Sequence, residues 1–186
     1  MTIISKVFGH LKNILIHKYY VLKECWSMGL YWQGIVHDLS KFSWTEFKES
    51  VIYYSGGRSP INNAKDDVGI SYAWQHHKGR NPHHAEYWTD NYATGLTAHK
   101  MPLKYLLECL ADYVGAAKMY NKRNGIPFTW QGELRWWQEH KKLTLFHPET
   151  ENFITCYFTL IANLEKNNTK INKKKVINYV LELTKY

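Results

Sequence analysis

Long apolar runs are missing from this chain. Of its 186 residues 45% are hydrophobic, yet Lys, His, Asn or Glu interrupts each stretch well before the ~18 residues that a membrane span needs, and the mean hydropathy is -0.48. A helical membrane span is excluded, and no membrane partner is expected. Met1 to Leu15 repeats with a helical period and has no small-residue cleavage site, so it does not read as a secretory signal; a cytoplasmic location is expected. Cysteine is scarce too. Cys25, Cys109 and Cys156 are odd in number and widely spaced, which argues against a disulfide framework or a Cys-x-x-Cys metal knuckle and for buried reduced thiols. Sustained apolar–polar alternation and internal repeats are also lacking, which removes extended sheets and solenoids.

What the chain does have is aromatic mass and positive charge. Aromatics make up 16% (8 Trp, 14 Tyr, 7 Phe), ample material for one core in a chain of this length. Lys and Arg exceed Asp and Glu by 24 − 16 = 8, so the surface should attract anions such as nucleotides, phosphate esters or nucleic acid. Much of that excess is local: Lys166, Lys170, Lys173, Lys174 and Lys175 crowd a polar stretch that reads as a solvated turn.

The punctuation predicts an all-α fold. Helices are expected over Thr2 to about Trp26, Leu30 to His37, and Ser43 to about Tyr54, the last opened by the capping box Ser43-Trp44-Thr45-Glu46 with Phe42 and Phe47 at staple spacing. Ser55 to Lys65 reads as a loop, and Asp66-Asp67 as the start of a helix ending near Gly79. Pro102 opens a strongly apolar helix that closes before Gly125. Thr129 to Lys142, Pro148 to Leu164 and Asn172 to Lys185 complete the set. Residues 1–186 are expected to form a single helical domain, with a core in 1–125 and a helical extension in 126–186.

Chemistry concentrates in the ten histidines and two aspartates. His37-Asp38 ends a helix and continues Leu39-Ser40-Lys41. His17 borders the buried stripe of the first helix, His76-His77 closes the fourth, and His83-His84 follows the Asn81-Pro82 turn. Asp112 interrupts an apolar helix beside the small residues Ala111 and Gly115. Singly, each has an ordinary explanation: a hydrogen-bonded core histidine, a salt-bridged carboxylate, a surface pair. A buried carboxylate is costly unless paired or ligated, however, and one divalent ion would compensate Asp38 and Asp112 together. Imidazole with carboxylate suits Mn, Fe, Co, Ni or Zn.

That ordered set resembles the HD-domain superfamily of metal-dependent phosphohydrolases, whose His-Asp-x-x-Lys step is similar to His37-Asp38-Leu39-Ser40-Lys41. A closer resemblance is to an uncharacterised family of small bacterial and phage proteins. It shares His37 to Phe42, Asn81-Pro82-His83-His84, Ala111-Asp112-Tyr113 with Gly115-Ala116, and His147-Pro148-Glu149-Thr150. The resemblance implies a compact bundle of HD-domain type with additional C-terminal helices and one or two divalent transition-metal ions. His17, His37, Asp38 and Asp112 match the four-ligand set for a first ion, with His10 as substitute for His17. His77 rather than His76, and His83 rather than His84, match the additional histidines of dinuclear members, with Asp38 bridging.

The implied reaction is phosphohydrolysis of a nucleotide or related phosphate ester by metal-activated water. Asp38 and Lys41 would be catalytic, Lys41 facing the phosphate, and Arg80 and Arg58 would hold a second anionic group. Two further readings stand beside it: a dinuclear iron oxygenase related to the same superfamily, and a non-catalytic metal-stabilised protein binding host factors or nucleic acid. Trp74, Trp88, Trp130, Trp136 and Trp137 offer surfaces on which a base could stack, against a default of core packing. His147 to Thr150 reads equally well as a helix start, and Cys109 as a small buried apolar residue.

Overall fold

Helical periodicity becomes nine α-helices in the computed structural model, which describes residues 1–186. In α1 (Ile3–Met28) the Thr2 hydroxyl accepts the Ser5 amide at the start, and Gly29 ends the helix at a φ of 90°, a region glycine enters without steric cost. α2 (Tyr31–Val36) follows, then a 3-10 turn over Leu39–Phe42 and α3 (Trp44–Ile52). Half of the expected capping box forms. The Ser43 hydroxyl accepts the Glu46 amide at 3.4 Å, while the Glu46 side chain goes elsewhere.

The stretch from Ser55 to Gly79 departs from one loop and one helix. Two helices occupy it, α4 (Pro60–Val68) and α5 (Tyr72–Lys78). Pro60, with its fixed φ, nucleates α4 inside the expected loop; Gly69, at φ 77°, stops it, and the Ser71 hydroxyl accepts the Trp74 amide to open α5. Asp66-Asp67 therefore lies in the last turn of α4, where Arg58 pairs with Asp66. A second departure is an antiparallel hairpin, β1 (Thr89–Tyr92) with β2 (Gly95–Ala98). Its strands are mostly exposed and too short for alternation to register.

α6 (Leu103–Arg123), α7 (Trp130–His140), α8 (Pro148–Lys166) and α9 (Lys173–Thr184) complete the mainly α architecture. One buried cluster joins Val21 and Cys25 of α1, Leu106, Leu110 and Val114 of α6, Phe153, Phe158 and Ile161 of α8, and Val180 of α9. Cys25 and Cys109 are buried free thiols, and burial pushes Cys25 up to about 12. No helix is long and apolar enough to cross a membrane.

The contact that matters most for the site is between α1 and α6. A methyl group at Gly115 would lie 2.5 Å from Val21 Cγ2 and 3.1 Å from the Val21 backbone nitrogen. Glycine lets the two helices approach at this point. Their close approach sets His17, four residues before Val21, against Asp112, three before Gly115.

Candidate metal centre

Each functional side chain is aimed by its local backbone. The chain leaves α2 at His37, and Asp38 takes φ 55° and ψ 27°, the left-handed region that aspartate tolerates better than most residues. The Lys18 ammonium donates to the carbonyls of Ile35, at 2.6 Å, and His37, at 2.9 Å, securing the end of α2. Across the site, the Asn81 side chain donates to the His77 carbonyl at 2.7 Å and to Ser40 Oγ at 2.8 Å. The His84 amide donates to the Asn81 carbonyl at 3.1 Å. This turn folds His83-His84 back against α5.

The two oxygens of Asp38 face different groups. Oδ2 lies 3.5 Å from His17 Nε2 and 3.3 Å from His37 Nε2; the same two nitrogens are 3.0 Å and 3.3 Å from Asp112 Oδ1. Oδ1 lies 3.3 Å from His77 Nε2 and 3.4 Å from His83 Nε2. The donor atoms of His17, His37, Asp38 and Asp112 are all within 4.8 Å of one another, as are those of Asp38, His77, His83 and His84. Donors on one ion at ~2.0–2.2 Å stand ~3.0–3.5 Å apart around a tetrahedral or octahedral centre. The spacing here fits that requirement.

Satisfaction of polar atoms points the same way. Nine buried side-chain nitrogens or oxygens lack a well-aligned hydrogen bond, and among them are His17 Nε2, His37 Nε2, Asp38 Oδ1, His83 Nε2 and His84 Nε2; Asp38 Oδ2 has the Lys41 ammonium at 2.5 Å. Buried polar atoms in native proteins are otherwise nearly all paired. A cluster of orphans meeting at one point is what a bound cation satisfies, so these residues fit a metal ion.

Two glutamates orient the imidazoles from behind. Glu108 Oε1 is 3.0 Å from His37 Nδ1 and 3.3 Å from His83 Nδ1, one from each side of Asp38. Glu46 reaches His77 Nδ1 at 2.8 Å and His76 Nδ1 at 2.6 Å. With Nδ1–H donating to a carboxylate, Nε2 keeps its lone pair for the centre, as in the carboxylate–histidine pairs behind metal ligands. Neither stands out in the sequence: Glu46 reads as the last member of the capping box, and Glu108 lies one turn before Asp112, where a second acid at i−4 in an apolar helix is the available signal.

The electrostatics follow from this crowding. Burial alone would raise Asp38, but His37, Lys41 and His77 hold its carboxyl well below the usual range. Burial likewise opposes ionised Asp112, and His17 with His37 outweighs it. Burial disfavours a charged His37, yet Asp38, then Asp112 and Glu108, raise its pKa well above the ordinary value. His84 is the reverse: burial, then the neighbouring His83, pushes it well down and keeps it neutral. Lys41 Nζ stands 2.5 Å from Asp38 Oδ2, and Asp38 and Asp112 raise its pKa against burial.

A cavity of about 180 Å³ opens beside the cluster, lined by His17, His77 and Asp112 together with His10, Asn13, Lys41 and Tyr120 among others. His77 faces Asp38, whereas His76 turns to Glu46; His83 and His84 both join the Asp38 group. His10 lines the cavity, outside either donor group. The expected anion-binding arginines are not brought in: Arg58 is exposed and paired with Asp66, and exposed Arg80 does not line the cavity. None of the five tryptophans considered for base stacking lines it either. Trp130 and Trp137 are buried in the core, and Trp136 stacks on His140. His147 N-caps α8, and Thr150 Oγ1 accepts the Met101 amide, so that segment serves the framework.

Residues 6–160 match the model of a family described as a family of unknown function (DUF5662), and the chain belongs to that family. No curated protein and no solved structure matches it.

Proposed function

We propose that this member of a family of unknown function is a metal-dependent phosphohydrolase. The ester would be cleaved at a dinuclear centre held by His17, His37, Asp38 and Asp112 on one side and by Asp38, His77, His83 and His84 on the other. The observation that carries the reading is the division of Asp38, each oxygen facing its own group of imidazoles. The likeness of His37-Asp38-Leu39-Ser40-Lys41 to the HD step supports it, and with it an HD-type core in residues 1–125, a helical extension in 126–186 and a cytoplasmic setting. Mn, Fe, Co, Ni or Zn suits these donors. Such ions, when bound, supply Lewis acidity and bring the pKa of water toward ~7.

The chain's own groups do the rest. Lys41 carries the one fixed positive charge on the cavity wall and is kept protonated by Asp38 and Asp112. It would neutralise charge developing on the phosphoryl oxygens. Glu46 and Glu108 fix the imidazole orientations, and the apolar side chains of Ile14, Ile61 and Met119 limit the water that reaches the ester. The test is elemental analysis of the purified protein, followed by phosphate release from phosphate esters with each metal restored to the stripped protein. Metal-dependent release is expected. No release with any of these metals would refute the reading. Two bound irons with oxygen uptake would favour the dinuclear oxygenase, for which the imidazole-rich side of Asp38 is the supporting observation. A fully protein-ligated, inert ion would favour a binding protein.

A further inference from the structure

Resting on the hydrolase reading, we infer that the substrate is a compact phosphate monoester whose organic part is small, uncharged and hydroxyl-bearing, and that His10 and Asn13 of α1 hold that part. Size is the first argument. The cavity of about 180 Å³ is below the ~300–1,000 Å³ of pockets that enclose drug-sized ligands. At ~30 Å³ per water it displaces about six waters, enough for a phosphoryl group and a few further atoms. The cavity opens to solvent, and a nucleoside would extend beyond it.

Charge is the second. Lys41, beside Asp38, is the one Lys or Arg on the wall, so beyond the metal centre itself no cationic side chain is placed there to hold a second phosphate. The other polar groups there, apart from the ligands and Glu46, are His10, Asn13, Ser50, Ser59 and Tyr120. These offer hydrogen bonds without net charge.

His10 is the third. It is 8% exposed, its Nδ1 has no partner, and it packs against Phe47 and Tyr54 with ring centroids 5.3 and 6.2 Å away. Burial, then Lys41, lowers its pKa to about 4, so at neutral pH it presents one donor and one acceptor nitrogen. His10 lines the cavity, an unpaired buried nitrogen is costly, and a ligand hydroxyl that the ring turns to meet would remove that cost. Asn13 stands three residues on, between His10 and His17 on the same face of α1, so the phosphoryl end at the His17 side and the hydroxyl end at His10 are about two helical turns apart.

The experiment compares glycerol 3-phosphate with adenosine monophosphate on the full-length, Mn-loaded protein. The expected result is a kcat/KM at least tenfold higher for glycerol phosphate. His10→Phe and, separately, Asn13→Ala should each lose tenfold or more, mainly through KM, with metal content retained. His10→Gln, which keeps a neutral amide, should recover part of the loss. Equal or better turnover of the nucleotide, or unchanged KM in both His10→Phe and Asn13→Ala, overturns the inference while leaving the hydrolase reading intact. If no ester is hydrolysed with any metal, that reading fails by itself. Binding then decides the inference: a rise in Tm with glycerol phosphate that His10→Phe abolishes sustains it, and no rise overturns it.

Discussion

Glu108→Gln should weaken metal binding on both sides of Asp38 at once. Glu108 touches no ion in the arrangement proposed here. It is 6% exposed, and one oxygen accepts from His37 Nδ1 at 3.0 Å and from His83 Nδ1 at 3.3 Å. Burial alone would raise its pKa, but the bonds from His37 and His83 hold it low and the group ionised. Glutamine has nearly the same shape and can place its carbonyl oxygen where both Nδ1–H groups donate, but a neutral acceptor holds them less tightly than a carboxylate. Each Nε2 then becomes a less basic and less firmly aimed ligand. Loss of an outer carboxylate of this kind commonly costs 10–100-fold in metal affinity, about 1.4–2.7 kcal/mol. Because Glu108 serves one imidazole from each group, both binding events should weaken. Calorimetric titration of metal-stripped protein, with a competing chelator for tight steps, measures each event, and far-UV circular dichroism checks that the fold survives. Both affinities within twofold of the parent would refute the claim that Glu108 aims these ligands.

Lys41→Ala should keep its metal while phosphate release falls by about two to three orders of magnitude, in line with ~2.7–4 kcal/mol for one lost charge-stabilising donor; Asp38→Ala should lose metal and activity together, which parallel metal analysis and phosphatase assays will separate. Gly115→Ala forces a methyl to within 2.5 Å of Val21 Cγ2, so urea unfolding should show about 1–3 kcal/mol lost to overpacking, with weaker metal binding as His17 and Asp112 are pushed apart. Metal affinity should rise from pH 6 to pH 8 by up to about tenfold per unit for each proton displaced, because His37, raised well above 6.5 without an ion, must lose its proton to ligate. The stabilisation of the metal-free protein by charged His37 is full below about 6.5 and fades as pH climbs through the raised value. Its Tm should therefore decline on the alkaline side, and an affinity that ignores pH would contradict the assignment.

Helix-forming segments were legible because their signals are local: an N-cap hydroxyl, a Pro at the first turn, a Gly at the end, apolar residues every three or four positions. Fold and sequence pattern diverge where local signals compete. Pro60 and Gly69 mark both ends of α4, but a Gly- and Asn-rich neighbourhood reads as loop, and the hairpin at 89–98 is too short to show its period. The candidate ligands were legible as residue types in order, since His37-Asp38, the two histidine pairs and Asp112 interrupt otherwise apolar or helical stretches. Their common centre was not. It depends on a contact between α1 and α6 at Gly115, on a left-handed turn at Asp38 and on an asparagine side chain bridging α5 to the 3-10 turn, none of which has a periodic signature. Glu46 and Glu108 became visible only in three dimensions, because each acts on imidazoles 25 or more residues away. The sequence by itself determined most of the helical elements, α4 apart, and which side chains have the chemistry of ligands, because propensity, capping and donor type belong to single residues and near neighbours. Only the tertiary structure decided that both oxygens of Asp38 are engaged, that Arg58 and Arg80 stay outside and that His10 looks into the cavity, because direction and distance between helices arise from packing that no local stretch contains.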